Sequence, residues 1–162
     1  MVAEKFSTSD SRIPVCHVGL MMKNKWYSGG LHFECVGCGN CCAGPEEGDI
    51  WISAAEIELL AKHLGMPETE VCKRFIKRAG FGAGIMEDNR THDCVFLQTG
   101  PDGKRGCAIY PVRPNQCRTW PFWNRNLNSP RDWDRVVQRC PGIDHGPEWS
   151  FERIEKLRTQ KK

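Results

Sequence analysis

Three features of the 162-residue sequence predict a small, irregular α+β domain. Residues 53–80 read as a helical hairpin, residues 94–110 as a short β-hairpin, and ten cysteines are threaded around both. A C-terminal helix over Glu148–Arg158 completes the set. At this length one core of modest size is expected. Apolar residues at 40% and charged residues at 27% are ordinary for a globular chain, whereas ten cysteines ask for a specific explanation.

Residues 1–30 form an N-terminal arm with few periodic apolar positions, ending in Ser28-Gly29-Gly30. Residues 31–147 form the central unit, opening on Cys35-Val-Gly-Cys38-Gly-Asn-Cys41-Cys42, where glycines allow the backbone to curl tightly. Ser53 and Glu56 make an S-x-x-E capping box, followed by Ile57, Leu60, Ala61 and Leu64 at helical spacing and Gly65 as the stop. A second helix is predicted from Pro67 to Ala79, with Val71, Phe75, Ile76 and Ala79 facing inward and Gly80 ending it. Residues 81–92 read as a loop. Cys94-Val-Phe-Leu-Gln98 and Gly106-Cys-Ala-Ile-Tyr110 flank an Asp102-Gly103 step and read as a β-hairpin. Asn115–Trp120 reads as a helical turn and residues 124–135 as a loop, and residues 148–162 carry the terminal helix and a basic tail.

The cysteines first bear on compartment. No apolar stretch of about 7–15 residues follows a basic start, and no apolar run approaches about 18 residues, so neither an export signal nor a membrane span is read. A disulfide scaffold would need export; a reducing cytoplasm is expected instead, where clustered cysteines serve as metal ligands or reactive thiols. A net charge of +3, spread along the chain, gives no strong nucleic-acid signal.

Cys-x-x-Cys suits tetrahedral ligation at about 2.3 Å, and the extension to C-x2-C-x2-C matches the opening of bacterial ferredoxin runs. Zinc and an iron–sulfur cluster, of the four-iron type, therefore both stay open. Adjacent Cys41 and Cys42 are expected to diverge and to serve two sites or bridge two metals. Cys94, Cys107, Cys117 and Cys140 sit at turns and strand ends, and with Cys35, Cys38, Cys41 and Cys42 they make eight thiols, enough for two sites of four or one compound centre. Cys72 reads as a small buried residue and Cys16 as a bystander; His92 is retained as an accessory ligand. Arg113, Arg118 and Arg139 are placed to offset thiolate charge, and Trp120, Phe122 and Trp123 to cover the site or fill the core.

The chain resembles the YkgJ-like CxxCxxCC cysteine-cluster family, whose members are described as zinc- or iron-chelating. The resemblance runs from Cys35 to about Gly142 through Cys35-x-x-Cys38-x-x-Cys41-Cys42, Cys94-x-Phe96-Leu97, Cys107-Ala-Ile109-Tyr110-x-x-Arg113-Pro114-x-x-Cys117-Arg118-x-x-Pro121-Phe122 and Cys140-Pro141-Gly142. It implies ligation by these eight cysteines. Three functions follow as expectations: an iron–sulfur protein with a redox or electron-transfer role, a structural or chelating zinc module, or a protein-modifying enzyme, since flagellin lysine methylases are similar in their cysteine cluster. No G-x-G-x-x-G nucleotide site is visible, so the sequence assigns neither a reaction nor a protein partner.

Overall fold

The computed structural model describes residues 25–160, so most of the N-terminal arm, including Cys16, lies outside the described residues. Within them, six helices and three small sheets confirm the α+β reading. None of these helices is long and apolar enough to cross a membrane.

The first helix, α1 (Ala54–Leu64), forms where the capping box placed it. Ser53 accepts from the Glu56 N–H, Glu56 reaches back to the Ser53 N–H, and Gly65 closes the helix in the left-handed conformation. Its inward face, Ile57, Leu60 and Ala61, packs with Val71 of α2 (Glu68–Phe75). The second helix is shorter than predicted. It stops at Phe75, and Ile76–Ala79 becomes strand β3, which follows β2 (Ile50–Ile52) and pairs with β4 (Gly82–Ile85). Gly80 turns this hairpin with φ of 53° and is no helix stop. The predicted loop at 81–92 therefore contains the central strand of a three-stranded sheet, order β2-β4-β3. Ladder pairing on both sides of Gly-Ala-Gly-Ile overrides its weak local preference.

The predicted β-hairpin is present but shorter: β5 (Leu97–Thr99) pairs with β6 (Arg105–Cys107). Cys94 precedes the first strand, and Cys107 ends the second, which sequence reading had placed near its start. Ile52, Ile57, Leu60, Val71, Ile85, Phe96 and Ile109 form the core of this half.

The second half has its own core. Pro114 leads into α3 (Asn115–Arg118), as the helical turn predicted. Residues 124–135 are not a loop: α4 (Asn124–Leu127) and α5 (Pro130–Val137) occupy them, the latter capped by Ser129 accepting from the Asp132 N–H, with Pro130 at its first position. Strand β7 (Ile143–Trp149) pairs with β1 (Leu31–Phe33), and α6 (Phe151–Arg158) starts after a Ser150 cap, three residues later than predicted. Tyr27, Phe33, Phe122, Leu127, Trp133, Ile143, Phe151 and Ile154 fill this core. Tyr27 and Phe151 stack at 5.8 Å, so the end of the arm packs against the terminal helix.

Candidate metal centre

The cysteine run leaves β1 as a loop whose curl depends on Gly39. Its φ of 73° is left-handed, and a Cβ there would meet Leu97 Cδ1 at 2.7 Å. A 3-10 turn at Asn40–Cys42 follows. Three side chains hold this loop. Arg139 donates to the carbonyls of Asn40 (3.1 Å), Ala43 and Gly44 (3.3 Å); Asn40 Nδ2 returns a hydrogen bond to the Arg139 carbonyl (3.0 Å); and Arg105 donates to Asn40 Oδ1 (2.9 Å). The Cys94 N–H donates to the Cys42 carbonyl at 2.8 Å, joining the two cysteine-bearing regions through backbone.

Cys35, Cys38, Cys41, Cys42, Cys94, Cys107, Cys117 and Cys140 all line one cavity of about 50 Å³. It lies at the seam of the two cores: Ile85 and Ile109 come from the first, Phe33 and Cys140 from the second. All eight are free thiols; Cys140 is buried, Cys35 and Cys41 are exposed, and the others are intermediate. Among the described residues no three His, Cys, Asp or Glu side chains are grouped closely enough to chelate a single ion.

Cys41 and Cys42 do not diverge. Their Sγ atoms lie 3.9 Å apart, close to the roughly 3.8 Å between two thiolates on one tetrahedral zinc with bonds of about 2.3 Å. Hydrogen bonding divides the charge among neighbouring thiols. Cys42 is the hydrogen-bonding neighbour that Cys41 and Cys107 share, and a proton kept on Cys42 favours thiolate at whichever of them accepts it; each is drawn down to about 7, with Arg113 helping both. Cys41 keeps solvent contact, but its protein surroundings remove part of its hydration and oppose the shift. Cys42, bonded to Cys107 and Cys41, is pushed well up. Burial raises Cys94 to about 11 and also raises Cys117, which further feels the charge on Cys41, Cys94 and Cys107. A metal bound here would displace protons from the raised thiols.

Arg113 does what sequence reading expected. It lines the cavity, with its guanidinium 3.4 Å from the centroid of the Tyr110 ring. Arg118 does not: it pairs with Glu56 at 3.6 Å, drawn to the carboxylate that also caps α1. Arg139 acts on the backbone of the loop, a role that sequence spacing could not reveal. Cys72 is exposed, not buried, because one step along α2 from buried Val71 turns it by about 100° and out of the core. His92 does not line the cysteine cavity. It borders a neighbouring cleft of about 350 Å³ that also touches Cys41, Cys42, Cys94 and Trp120. Phe122 is core, and Trp120 lines both the cavity and the cleft.

A relative from Acinetobacter calcoaceticus, named "Putative ferredoxin", is 37% identical over 101 residues, covering 60% of this chain and 71% of its own. An uncharacterized protein of Methanocaldococcus jannaschii is 30% identical over 109 residues, 64% of this chain and 55% of that protein, so the chain spans about half of that relative's length. No solved structure matches the chain significantly. The family profile described as "CxxCxxCC: Putative zinc- or iron-chelating domain" matches residues 34–141, the stretch bearing all eight cavity cysteines, and the chain belongs to that family.

Proposed function

We propose that thiolates from this set of eight cysteines hold an iron–sulfur centre at the seam of the two cores, four to a cluster, and that the protein carries electrons. The observation carrying this reading is that thiols from residues 35–42 and 94–140 line a single cavity. The ferredoxin-like spacing of Cys35, Cys38 and Cys41 and the name of the Acinetobacter relative support it. Such a cluster, when bound, supplies reversible one-electron storage. The chain's own residues do the rest: the thiolates bind, Arg113 offsets their negative charge, and Arg139 with Asn40 fixes the loop before binding. Exposed Val36 and Tyr110 border the cavity, so the site opens to the surface where an electron can leave.

A second reading, a zinc-chelating module, is favoured by the 3.9 Å separation of the Cys41 and Cys42 sulfurs. Anaerobic purification followed by visible absorbance and iron, sulfide and zinc analysis tests both. A brown protein with iron and sulfide in equal amounts is the expected result. A colourless, zinc-loaded protein transfers the assignment to the second reading, and a folded chain without metal overturns both.

A further inference from the structure

Two indole N–H groups among the described residues, those of Trp120 and Trp133, are buried without a hydrogen-bond partner. Burying an unpaired donor is destabilising, and native folds rarely leave one without a reason. Trp133 sits inside the aromatic core, 6.0 Å from Trp26 and 6.1 Å from Phe122. Trp120 is differently placed. It lines the cysteine cavity, and its backbone N–H donates to the Cys117 carbonyl at 3.4 Å, so the turn that presents Cys117 also presents this indole. Its neighbour Trp123 meets it edge-on at 4.8 Å, and Trp123 spends its own N–H on the Gln116 carbonyl at 2.8 Å, which locks the pair.

We propose that the Trp120 indole N–H is a binding group for the metal centre, donating a hydrogen bond to a thiolate or sulfide sulfur held in the cavity. The inference rests on the reading that the eight cysteines bind such a centre. A sulfur acceptor satisfies the orphaned donor, and the donor withdraws negative charge from the centre. In an iron–sulfur protein the more negative, reduced form gains more from this bond, so Trp120 raises the reduction potential. In a zinc protein it slows loss of the metal.

Trp120→Phe tests this beside Trp133→Phe, which removes the other orphaned indole away from the cavity. Metal and sulfide content, release rate to a chelator, and reduction potential by visible absorbance are measured on all three proteins. Trp120→Phe is expected to load metal, to release it about tenfold faster and, if a cluster is present, to titrate at a more negative potential; Trp133→Phe matches the wild type in both. A loaded Trp120→Phe protein with wild-type release and potential overturns the proposal, as does an equal change in Trp133→Phe. Should Trp120→Phe fail to fold, the cadmium-loaded wild-type protein decides by nuclear magnetic resonance: the Trp120 indole proton lies downfield of the unpartnered Trp133 indole and couples to cadmium-113 if the bond exists, and lies beside Trp133 without that coupling if it does not. A wild-type protein that holds no metal under any of these conditions overturns the parent reading and this one with it, whereas a normal loaded variant overturns this one alone.

Discussion

Arg139 acts on the cysteine loop without touching sulfur. Its guanidinium joins three backbone carbonyls of the loop, those of Asn40, Ala43 and Gly44, and its own carbonyl receives Asn40 Nδ2. Groups that orient ligands in this way commonly change metal affinity by about 10–100-fold. Arg139→Gln is therefore expected to bind metal within that range more weakly, measured by competition with a chromophoric chelator, while its far-ultraviolet dichroism stays that of the wild type. Unchanged affinity would show that the loop is ordered without the strap. The thiols are expected to be unequal too. Cys42→Ser removes the thiol hydrogen-bonded to both Cys41 and Cys107 and cuts metal content sharply, whereas Cys72→Ser, exposed on α2, leaves it intact. Equal metal loss from the two variants would contradict this division.

Among the elements, α6 is tied to the start of the described chain through one carboxylate. Glu155 accepts from Lys25 Nζ (2.7 Å), Tyr27 Oη (2.6 Å) and twice from Arg158 (2.7 Å each). These bonds, Arg158 foremost, hold Glu155 at about 2, below an ordinary glutamate near 4.3. A carboxylate with a depressed pKa stabilises the fold above its unfolded value, and that contribution fades as pH falls toward the folded value. Glu155→Gln should thus melt at a lower temperature than wild type at pH 7, with the gap closing as pH falls from about 4 toward 2; a gap independent of pH would refute the linkage. Elements with a complete local signal were legible in sequence: α1 carries its capping box and its stop glycine, and the Asp102-Gly103 step sits inside the observed hairpin turn. Strand β4, Gly-Ala-Gly-Ile, offers no alternation, and its partners β2 and β3 supply what it lacks. Helix α5 was readable in principle, because Ser129-Pro130 with Asp132 is a cap and Trp133 and Val136 share its buried side.

At the scale of the molecule, two cores meet at a wall of thiols, so metal and fold are expected to be linked. Where a metal is bound, removing it would leave unligated, partly buried thiols between them, and the chelated protein should melt at a lower temperature than the loaded one. An unchanged melt in a sample shown to be free of metal would defeat this expectation. The gathering of the eight cysteines could be anticipated from their spacing and from the family resemblance. The contributions of Arg139 and Trp120 could not, since both depend on which backbone passes beside which loop. The Glu34 N–H donates to the Gly142 carbonyl at 3.0 Å, and a Cβ on Gly142 would collide with the Glu34 carbonyl, so the strands pass at a distance that glycine alone permits. The chain thus enters and leaves the family segment, residues 34–141, through one narrow gate. The segment is not closed off from its flanks, because Tyr27, Phe33, Ile143, Phe151 and Ile154 beyond the gate fill the second core, so loosening either flank is expected to loosen the wall of thiols as well.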